Sequence, residues 1–386
     1  MSSLPAILQI VPALDAGGVE RTTIDIAQAL TQAGFAAFVV SEGGRMEPSL
    51  AEAGGELISL QAASKAPHTI VANAFALARV ARERGVKLIH ARSRAPAWSG
   101  LMAARMAGVP FVTTYHGIYN ASNPLKRFYN SVMTRADAVI ANSQWTAAHV
   151  LAEHKIDPAK LTVIPRGVDL GRFDPAGASP DRVAELRAEW GAAPDDFVAL
   201  LPGRLTRWKG QRVLIDALAK LAHDNRLANI RAVLIGDAQG RAAYEAELRN
   251  AISAADLGGK VRIAGHTDGM PLAYLAADVV VSASTDPEAF GRVAAEAGAM
   301  GRPVIATDHG GARETVVEGI SGLLTAPGDA LALADAIARL AAMDAATLSH
   351  MGSAGRAHIV ERYSLERMCA DTIALYRKLI SARRVA

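Results

Sequence analysis

The stretch "AILQIVPALDAGGVERTTIDIAQALTQAGFAAFVV", residues 6–40, contains the pattern that decides the fold. It begins with a short apolar run, continues with a segment of helical periodicity that can end at Gly34, and closes with a second apolar run. A strand, a helix and a strand in this order predict parallel strands joined by a right-handed crossover. The helical segment carries on one face Val19, Thr23, Ile26, Ala27 and Leu30.

The alternation recurs in two halves of the chain, with one irregular segment between them. Residues 165–182 are rich in Pro, Gly and Asp and have no periodicity, which is typical of a linker. We therefore predict an α/β protein of two Rossmann-like, doubly wound domains that face each other across a cleft. The predicted domains are 1–170, joined by a C-terminal helix over 365–386, and 171–364. The other runs that predict buried strands are 88–90, 111–115, 138–141, 161–164, 197–203, 231–236, 261–265, 278–284, 303–307 and 322–326.

Length and composition agree with two soluble domains. A single core stops growing at roughly 250–300 residues, and this chain has 386. The 51% of hydrophobic and 20% of charged residues indicate a globular protein rather than a disordered one. Cys369 is the only cysteine of the sequence, so no internal disulfide is possible. The N-terminus lacks the basic region of a signal peptide, and no apolar run reaches the roughly 20 residues that span a bilayer, so we expect a cytoplasmic protein.

Several catalytic signatures are missing from the sequence. No G-x-G-x-x-G follows the first strand, which argues against nicotinamide chemistry, and "GRLTRWKG" (203–210) lacks the spacing and the Ser/Thr of a P-loop. Neither H-E-x-x-H nor paired cysteines occur, so we expect no metal and no other cofactor. A G-x-S-x-G nucleophile elbow is also absent. We expect no nucleic-acid partner.

The remaining motifs are suited to binding an anion. Arg204 and Lys209 follow the first strand of the second half, and their guanidinium and ammonium groups suit phosphate oxygens. The helix that begins near Gly291 and the Gly17–Gly18 turn each offer unpaired backbone N–H groups. Three such places around one cleft indicate a diphosphate.

Two glutamates of "PEAFGRVAAE" (287–296) complete the pattern. Carboxylates would repel a diphosphate, so we expect Glu288 and Glu296 to accept hydrogen bonds from sugar hydroxyls on either side of it. The alternative for Glu296 is an exposed helix residue without a role, because Glu is rarely buried unless it is paired.

Four motifs in particular carry a resemblance to a known family: "GGVERTTIDIAQAL" (17–30), "VIPRGVDLGRFDP" (163–175), "GRLTRWKGQ" (203–211) and "PEAFGRVAAEAGAMGRPVIATDHGGARETV" (287–316). Together they resemble the retaining, GT-B-fold glycosyltransferases of family four, which include the lipopolysaccharide-core and phosphatidylinositol sugar transferases of bacteria. The similarity extends from the first strand to "GLLTAPGD" (322–329). Ala289 departs from it, because many relatives have Pro there.

The resemblance implies a role for each matching residue. Arg204 and Lys209 would bind the donor diphosphate and stabilise the departing nucleoside diphosphate, while Glu288 would face the donor sugar. His116 would lie next to the reacting carbon, and Glu296 would bind the ribose hydroxyls. The other donor-binding residues implied are Gly17, Gly18, Gly236, Gly265, His266, Phe290, Gly291, Arg292 and Val293.

The resemblance also implies the reaction. We expect a hexosyltransferase that moves a sugar, with retention and without a metal, from a UDP- or GDP-sugar to a glycan or lipid-linked acceptor, in lipopolysaccharide or other cell-envelope synthesis. Basic side chains would replace the metal in stabilising the leaving diphosphate. One alternative is a nucleotide-sugar epimerase on the same fold, which would convert its donor without any acceptor. Another is a catalytically inactive protein that binds a nucleotide sugar. Such a protein would have no reason to keep all four charged residues, Arg204, Lys209, Glu288 and Glu296.

A basic segment raises the question of a membrane partner. Between Arg79 and Arg135 the sequence has ten basic residues and one acidic residue, and Lys126, Arg127 and Arg135 lie at its end. One interpretation is a helix that packs an apolar stripe into the first domain. The other is an interfacial element that binds anionic lipid and brings the acceptor to His116, at the cytoplasmic face of the inner membrane. The apolar residues at helical spacing are Leu125, Phe128, Tyr129 and Val132.

Overall fold

The computed structural model of the chain describes residues 4–15, 17–117, 119 and 123–385. The chain forms two compact units, of which one comprises residues 1–167 and 365–386 and the other residues 168–364. Each unit is built around its own parallel sheet, with helices between successive strands. The predicted α/β fold class is confirmed.

The first unit contains a sheet of seven strands among the described residues, in the order β3-β2-β1-β4-β5-β6-β7. Every neighbouring pair in this order is parallel. Its strands and helices are β1 (Ala6–Ile10), α1 (Gly18–Gln32), β2 (Ala36–Ser41), α2 (Glu47–Glu52), β3 (Gly55–Ser59), α3 (Pro67–Glu83), β4 (Val86–Ala91), α4 (Arg94–Ala107), β5 (Phe111–Tyr115), α5 (Pro124–Asn130), β6 (Ala138–Ala141), α6 (Gln144–Glu153) and β7 (Leu161–Val163).

The second unit repeats this architecture with six described strands, in the order β10-β9-β8-β11-β12-β13. A last helix, α15 (Leu365–Val385), belongs again to the first unit. The elements of the second unit are α7 (Pro180–Glu189), β8 (Phe197–Pro202), α8 (Gln211–His223), β9 (Ile230–Ile235), α9 (Ala242–Ala254), β10 (Val261–Gly265), α10 (Met270–Leu275), β11 (Val279–Ser282), α11 (Arg292–Ala299), β12 (Val304–Thr307), α12 (Ala312–Thr315), β13 (Gly322–Thr325), α13 (Ala330–Ala341) and α14 (Ala345–Arg362).

The apolar runs become strands that are buried on both faces. In β1, Leu8 and Ile10 pack into one apolar cluster and Ile7 packs into another. Successive side chains of a strand point to opposite faces, so helices cover both faces of this sheet. In β8, Val198 and Ala199 lie in two separate clusters for the same reason.

Two elements differ from the sequence prediction. Strand β3 lies at the edge of the first sheet, where only Leu57 and Ile58 supply large apolar side chains, so no apolar run marks it in the sequence. Helix α7 begins inside the predicted linker, because Pro180 suits a first helical turn and the Ser179 hydroxyl accepts a hydrogen bond from the amide of Arg182.

The last part of the basic segment, which includes α5, also differs from the sequence prediction. Helix α5 ends at Asn130 and a 3-10 turn, Ser131–Thr134, follows it, so the four apolar residues do not share one helical face. Val132 is fully buried, whereas Leu125 is 82% and Phe128 is 59% exposed. The interpretation in which this apolar stripe packs into the first domain is therefore wrong.

Candidate active site

Four of the predicted donor-site residues share one edge of the second sheet. Its strands are parallel, so the loops that follow β8, β9, β10 and β11 all leave from the same edge. These loops carry Arg204 after β8, Gly236 after β9, His266 after β10 and Glu288 after β11. The chemistry of this edge therefore depends on how these loops hold their side chains.

An ion pair between Glu288 and Lys209 lies at this edge. The ammonium Nζ of Lys209 donates to Glu288 Oε1 at 2.7 Å, and the Ser284 hydroxyl donates to the same oxygen at 2.5 Å. Both side chains are largely buried, because that of Glu288 is only 11% exposed and that of Lys209 is 13% exposed. The ammonium also lies 4.4 Å from the ring centroid of Trp208. Both hydrogen bonds use Oε1, so Oε2 remains able to accept from a ligand.

The ionisation of Glu288 follows from these contacts. Burial raises the pKa of the carboxyl, but the positive charge of Lys209 and the hydrogen bonds from Lys209 and Ser284 outweigh it. The pKa of Glu288 is therefore lowered below its ordinary value, and the carboxylate is charged at neutral pH.

Backbone contacts hold the Glu288 loop in place. Gly310 has φ +65°, and a Cβ atom there would lie 2.5 Å from the carbonyl oxygen of Glu288, so only glycine fits. The amide of Gly311 donates to that same carbonyl at 2.7 Å. The Gly-Gly pair, which the sequence did not link to Glu288, thus supports the loop that carries it.

Glu296 lies one helix further on and is also buried. It is 8% exposed, which contradicts the alternative of an exposed helix residue. The Tyr274 hydroxyl donates to Oε2 at 3.0 Å, and the guanidinium of Arg292 donates to Oε1 at 2.7 Å. Burial and the neighbouring Glu296 carboxylate raise the pKa of Tyr274 well above its ordinary value. The hydroxyl therefore stays protonated and can donate its hydrogen bond to Glu296. The carboxylate is held rigidly before any ligand binds.

The other predicted donor-site residues of this unit differ in exposure. Arg204 and His266 are exposed, and His266 Nε2 lies 3.2 Å from a carboxylate oxygen of Asp268. Phe290 packs its ring against Tyr363, so only its backbone remains for a ligand. The positions at the turns and at the start of α11 are Gly265 at the end of β10, Gly291 as the residue before α11, and Arg292 and Val293 in its first turn.

In the first unit, Gly17 and Gly18 precede and begin α1. His116 follows β5 and Arg166 follows β7, at the corresponding edge of the first sheet. Nη2 of Arg166 lies 3.1 Å from Nδ1 of His116. Burial, together with the charges of Arg166 and Arg92, holds the pKa of His116 well below its ordinary value, so the imidazole is neutral.

A buried polar network lies beside His116. His90 Nδ1 lies 2.5 Å from the Tyr376 hydroxyl of α15, and its Nε2 lies 2.7 Å from the Thr114 hydroxyl. Arg92 donates twice to the amide oxygen of Gln9, at 2.9 and 2.6 Å. Arg92 is only 3% exposed, so the basic segment is not one continuous solvated face.

Comparisons with known proteins agree with this architecture. The sequence profile of Glycosyltransferase Family 4 matches residues 16–172, and that of Glycosyl transferases group 1 matches residues 183–358. The D-inositol 3-phosphate glycosyltransferase of Segniliparus rotundus is 31% identical over 315 residues, which are 78% of this chain and 68% of that protein.

Solved structures show the same arrangement of elements. A glycosyltransferase from Rickettsia africae matches with a TM-score of 0.90 at 34% identity, covering 98% of this chain and 99% of that one. Anabaena HepE in complex with UDP-glucose matches with a TM-score of 0.80 at 28% identity, covering 96% of this chain and 99% of that one.

Two Rossmann-like domains that match these structures place the chain in the class of GT-B-fold glycosyltransferases. The chain belongs within it to the family whose two halves match Glycosyltransferase Family 4 and Glycosyl transferases group 1, and it is a glycosyltransferase. None of the relatives named above is an epimerase, so that alternative gains no support. Among the helices of the described residues, none is long and apolar enough to cross a membrane.

Proposed function

We propose that the enzyme transfers a sugar, with retention and without a metal, from a nucleoside diphosphate donor to a hydroxyl of a glycan or lipid-linked acceptor of the cell envelope. The observation that carries this proposal is the Lys209–Glu288 ion pair at the loop edge of the second sheet. The UDP-glucose complex of Anabaena HepE supports a UDP-sugar as donor, with a GDP-sugar as the other candidate.

The charges at the loop edge suit a diphosphate. Lys209 and Glu288 form a net neutral pair, and the exposed guanidinium of Arg204 offers N–H donors and a positive charge for phosphate oxygens. Helix α11 begins after Gly291 without a side-chain cap from the described residues, and its first N–H groups can bind anionic oxygens. These groups would stabilise the negative charge that develops on the departing nucleoside diphosphate.

Hydroxyl recognition is the role we assign to the two glutamates. Glu288 would use Oε2 for hydroxyls of the transferred sugar, since its Oε1 is occupied by Lys209 and Ser284. Glu296 would bind the ribose, held in position by Tyr274 and Arg292. A fixed carboxylate loses little entropy when a hydroxyl binds to it.

The proposed reaction needs no protein nucleophile. The bond between the anomeric carbon and the phosphate oxygen breaks, and the acceptor oxygen bonds to that carbon from the same face. The released phosphate oxygen takes the proton of the acceptor hydroxyl. The anomeric carbon gains positive charge during this step, so a neutral imidazole would be favourable in the role that the family resemblance implies for His116.

An assay in excess EDTA tests both retention and metal independence. With an α-linked UDP-sugar and an acceptor drawn from a panel of glycans and lipid-linked glycans, we expect undiminished turnover and an α-linked product, read from the anomeric coupling constant by NMR. Cationic side chains take over the task of a metal here. A β-linked product would contradict retention, and turnover that stops in EDTA and returns with Mg²⁺ would contradict the metal-independent mechanism.

A lipid-linked acceptor is supported by the surface of α5. Leu125 and Phe128 are exposed large apolar side chains, and the basic residues Lys126 and Arg127 are exposed between them. The Arg135 guanidinium lies 5.3 Å from the ring centroid of Phe128. Apolar side chains flanked by cations suit the boundary of an anionic bilayer, so we propose that α5 binds the cytoplasmic face of the inner membrane.

Vesicle sedimentation tests this surface. We expect binding that requires anionic lipid, weakens with salt and falls at least tenfold in the double variant Lys126→Glu/Arg127→Glu, because each basic residue contributes about 1 kcal/mol. The matched control is Arg226→Glu/Arg339→Glu in the second unit, which should bind like the wild type. Equal sedimentation of both double variants would exclude α5 as the binding surface.

A further inference from the structure

The contact between Arg166 and His116 determines where the imidazole carries its proton. Nη2 of Arg166 lies 3.1 Å from Nδ1 of His116. A guanidinium has five N–H donors and no acceptor, so Nδ1 must accept this hydrogen bond through its lone pair. In a neutral ring the proton is then on Nε2.

The other ring nitrogen of His116, Nε2, has no hydrogen-bond partner among the described residues. Nε2 is buried, and none of the residues that the structure describes forms a hydrogen bond with it. A buried N–H group without an acceptor costs stability, and such groups are rare in folded proteins. The exception is explained if Nε2–H binds an oxygen of a substrate.

The groups around His116 come from several elements and favour its neutral form. Arg92 and His90 face it from β4 and Arg166 from the segment after β7, and all three lower the pKa of the imidazole in addition to burial. The acid Asp25 in α1 acts on Arg92. The side chains of His90, Arg92, His116 and Arg166 line a cavity of about 20 Å³, together with Asn142 just after β6. A proton on Nδ1 would meet the N–H groups of Arg166, so the protonated ring is disfavoured by geometry as well as by charge.

We propose that Arg166 is a positioning residue for sugar transfer: it fixes His116 as the neutral tautomer whose Nε2–H donates to an oxygen of the transferred sugar. This inference rests on the proposed function for the identity of the ligand. The tautomer of His116 does not depend on the proposed function, because it follows from the contact between Arg166 and His116 alone. A neutral donor holds the sugar without placing a cation beside a carbon that becomes positive.

The experiment compares Arg166→Met, which removes both donor and charge, with Arg166→Lys, which keeps both. In the full-length enzyme labelled with ¹⁵N-histidine, we expect wild-type His116 to show a protonated Nε2 and an unprotonated Nδ1 between pH 6 and pH 8. In Arg166→Met we expect the proton to be shared between both nitrogens and the ring to titrate at higher pH. Arg166→Lys should keep the wild-type tautomer.

Turnover provides the second readout. We expect kcat of Arg166→Met to fall about 10- to 100-fold, as for other residues that orient a functional histidine. The decrease of kcat at low pH should begin at a higher pH than in the wild type. The change in KM should be smaller, and Arg166→Lys should recover most of kcat. The control is Arg84→Met, which removes a surface partner of Glu56 and should leave both readouts unchanged.

Each result decides the proposal. An unchanged tautomer in Arg166→Met would overturn it, whether or not the protein transfers sugar. If Arg166→Met does not fold, a wild-type enzyme or Arg166→Lys variant with the proton on Nδ1 would overturn it equally. A shifted tautomer with wild-type kcat would overturn the link to sugar transfer, whereas failure of the proposed function would appear as absent turnover in the wild type, with the tautomer result still readable.

Discussion

Replacing Glu288 with alanine is expected to lower kcat by about 10²- to 10³-fold, because it removes a preorganised acceptor that contacts the reacting sugar. The carboxylate is charged and held by Lys209 and Ser284, so its reorganisation costs little free energy when the sugar binds. The substitution also frees the Lys209 ammonium, whose long side chain can turn toward solvent. The loss of stability should therefore be smaller than the loss of activity.

Two further variants make this result specific. Glu288→Gln keeps the shape of the side chain and a hydrogen-bond acceptor but removes the charge, so it should lie between alanine and the wild type in kcat. Glu189→Ala removes an exposed carboxylate from α7 in the same unit and should have wild-type kcat. Wild-type turnover in a folded Glu288→Ala enzyme would show that this glutamate does not contact the donor sugar.

Replacing Lys209 with methionine is expected to destabilise the protein by about 3 kcal/mol at pH 7, the cost of leaving one member of a buried ion pair unpaired. Unlike the lysine, Glu288 cannot reach solvent easily, because its loop is fixed by Gly310 and Gly311. Without Lys209, burial becomes the dominant influence on the pKa of Glu288, which should rise above its ordinary value.

The pH dependence of this variant follows from the direction in which the pKa of Glu288 changes. In the wild type the pKa of Glu288 is lowered, so its contribution to stability is present above the unfolded pKa and is lost as the pH falls. In Lys209→Met the buried carboxyl has a raised pKa and takes up its proton at a higher pH, so the deficit should be largest at neutral pH and should already be smaller at about pH 5. Urea unfolding at pH 7 and pH 5 measures both values. An equal deficit at the two pH values would mean that the pair contributes through packing rather than charge.

The fold could be predicted from the sequence because its evidence is local. Each buried strand is a short apolar run, and α1 carries its periodicity within one segment, so both appear without knowledge of tertiary contacts. Strand β3 was missed because an edge strand needs fewer apolar residues. Helical spacing did not separate the buried Val132 from the exposed Leu125 and Phe128, because spacing alone cannot show where a helix ends.

The site was less predictable, because its contacts join residues that are distant in sequence. Arg204, Lys209, Glu288 and Glu296 could be named from charge, loop position and family resemblance. The pairing of Lys209 with Glu288, of Tyr274 with Glu296 and of Arg166 with His116 could not, since no local pattern links them. Ser284 gave a weak signal, as a hydroxyl just after β11 on the edge where ligands bind.

The binding of a nucleotide sugar tests the central claim most directly. In a thermal-shift panel of UDP-, GDP-, ADP- and CMP-sugars, a donor at 100 times its Kd stabilises by about 2.7 kcal/mol, which raises Tm by about 3 °C for a chain of this length. We expect such a rise with one UDP- or GDP-sugar, and a smaller rise in Arg204→Ala at the same donor concentration. With the bare nucleoside, which lacks the diphosphate, Arg204→Ala should behave like the wild type. A wild-type Tm that no sugar nucleotide in the panel changes would contradict the account.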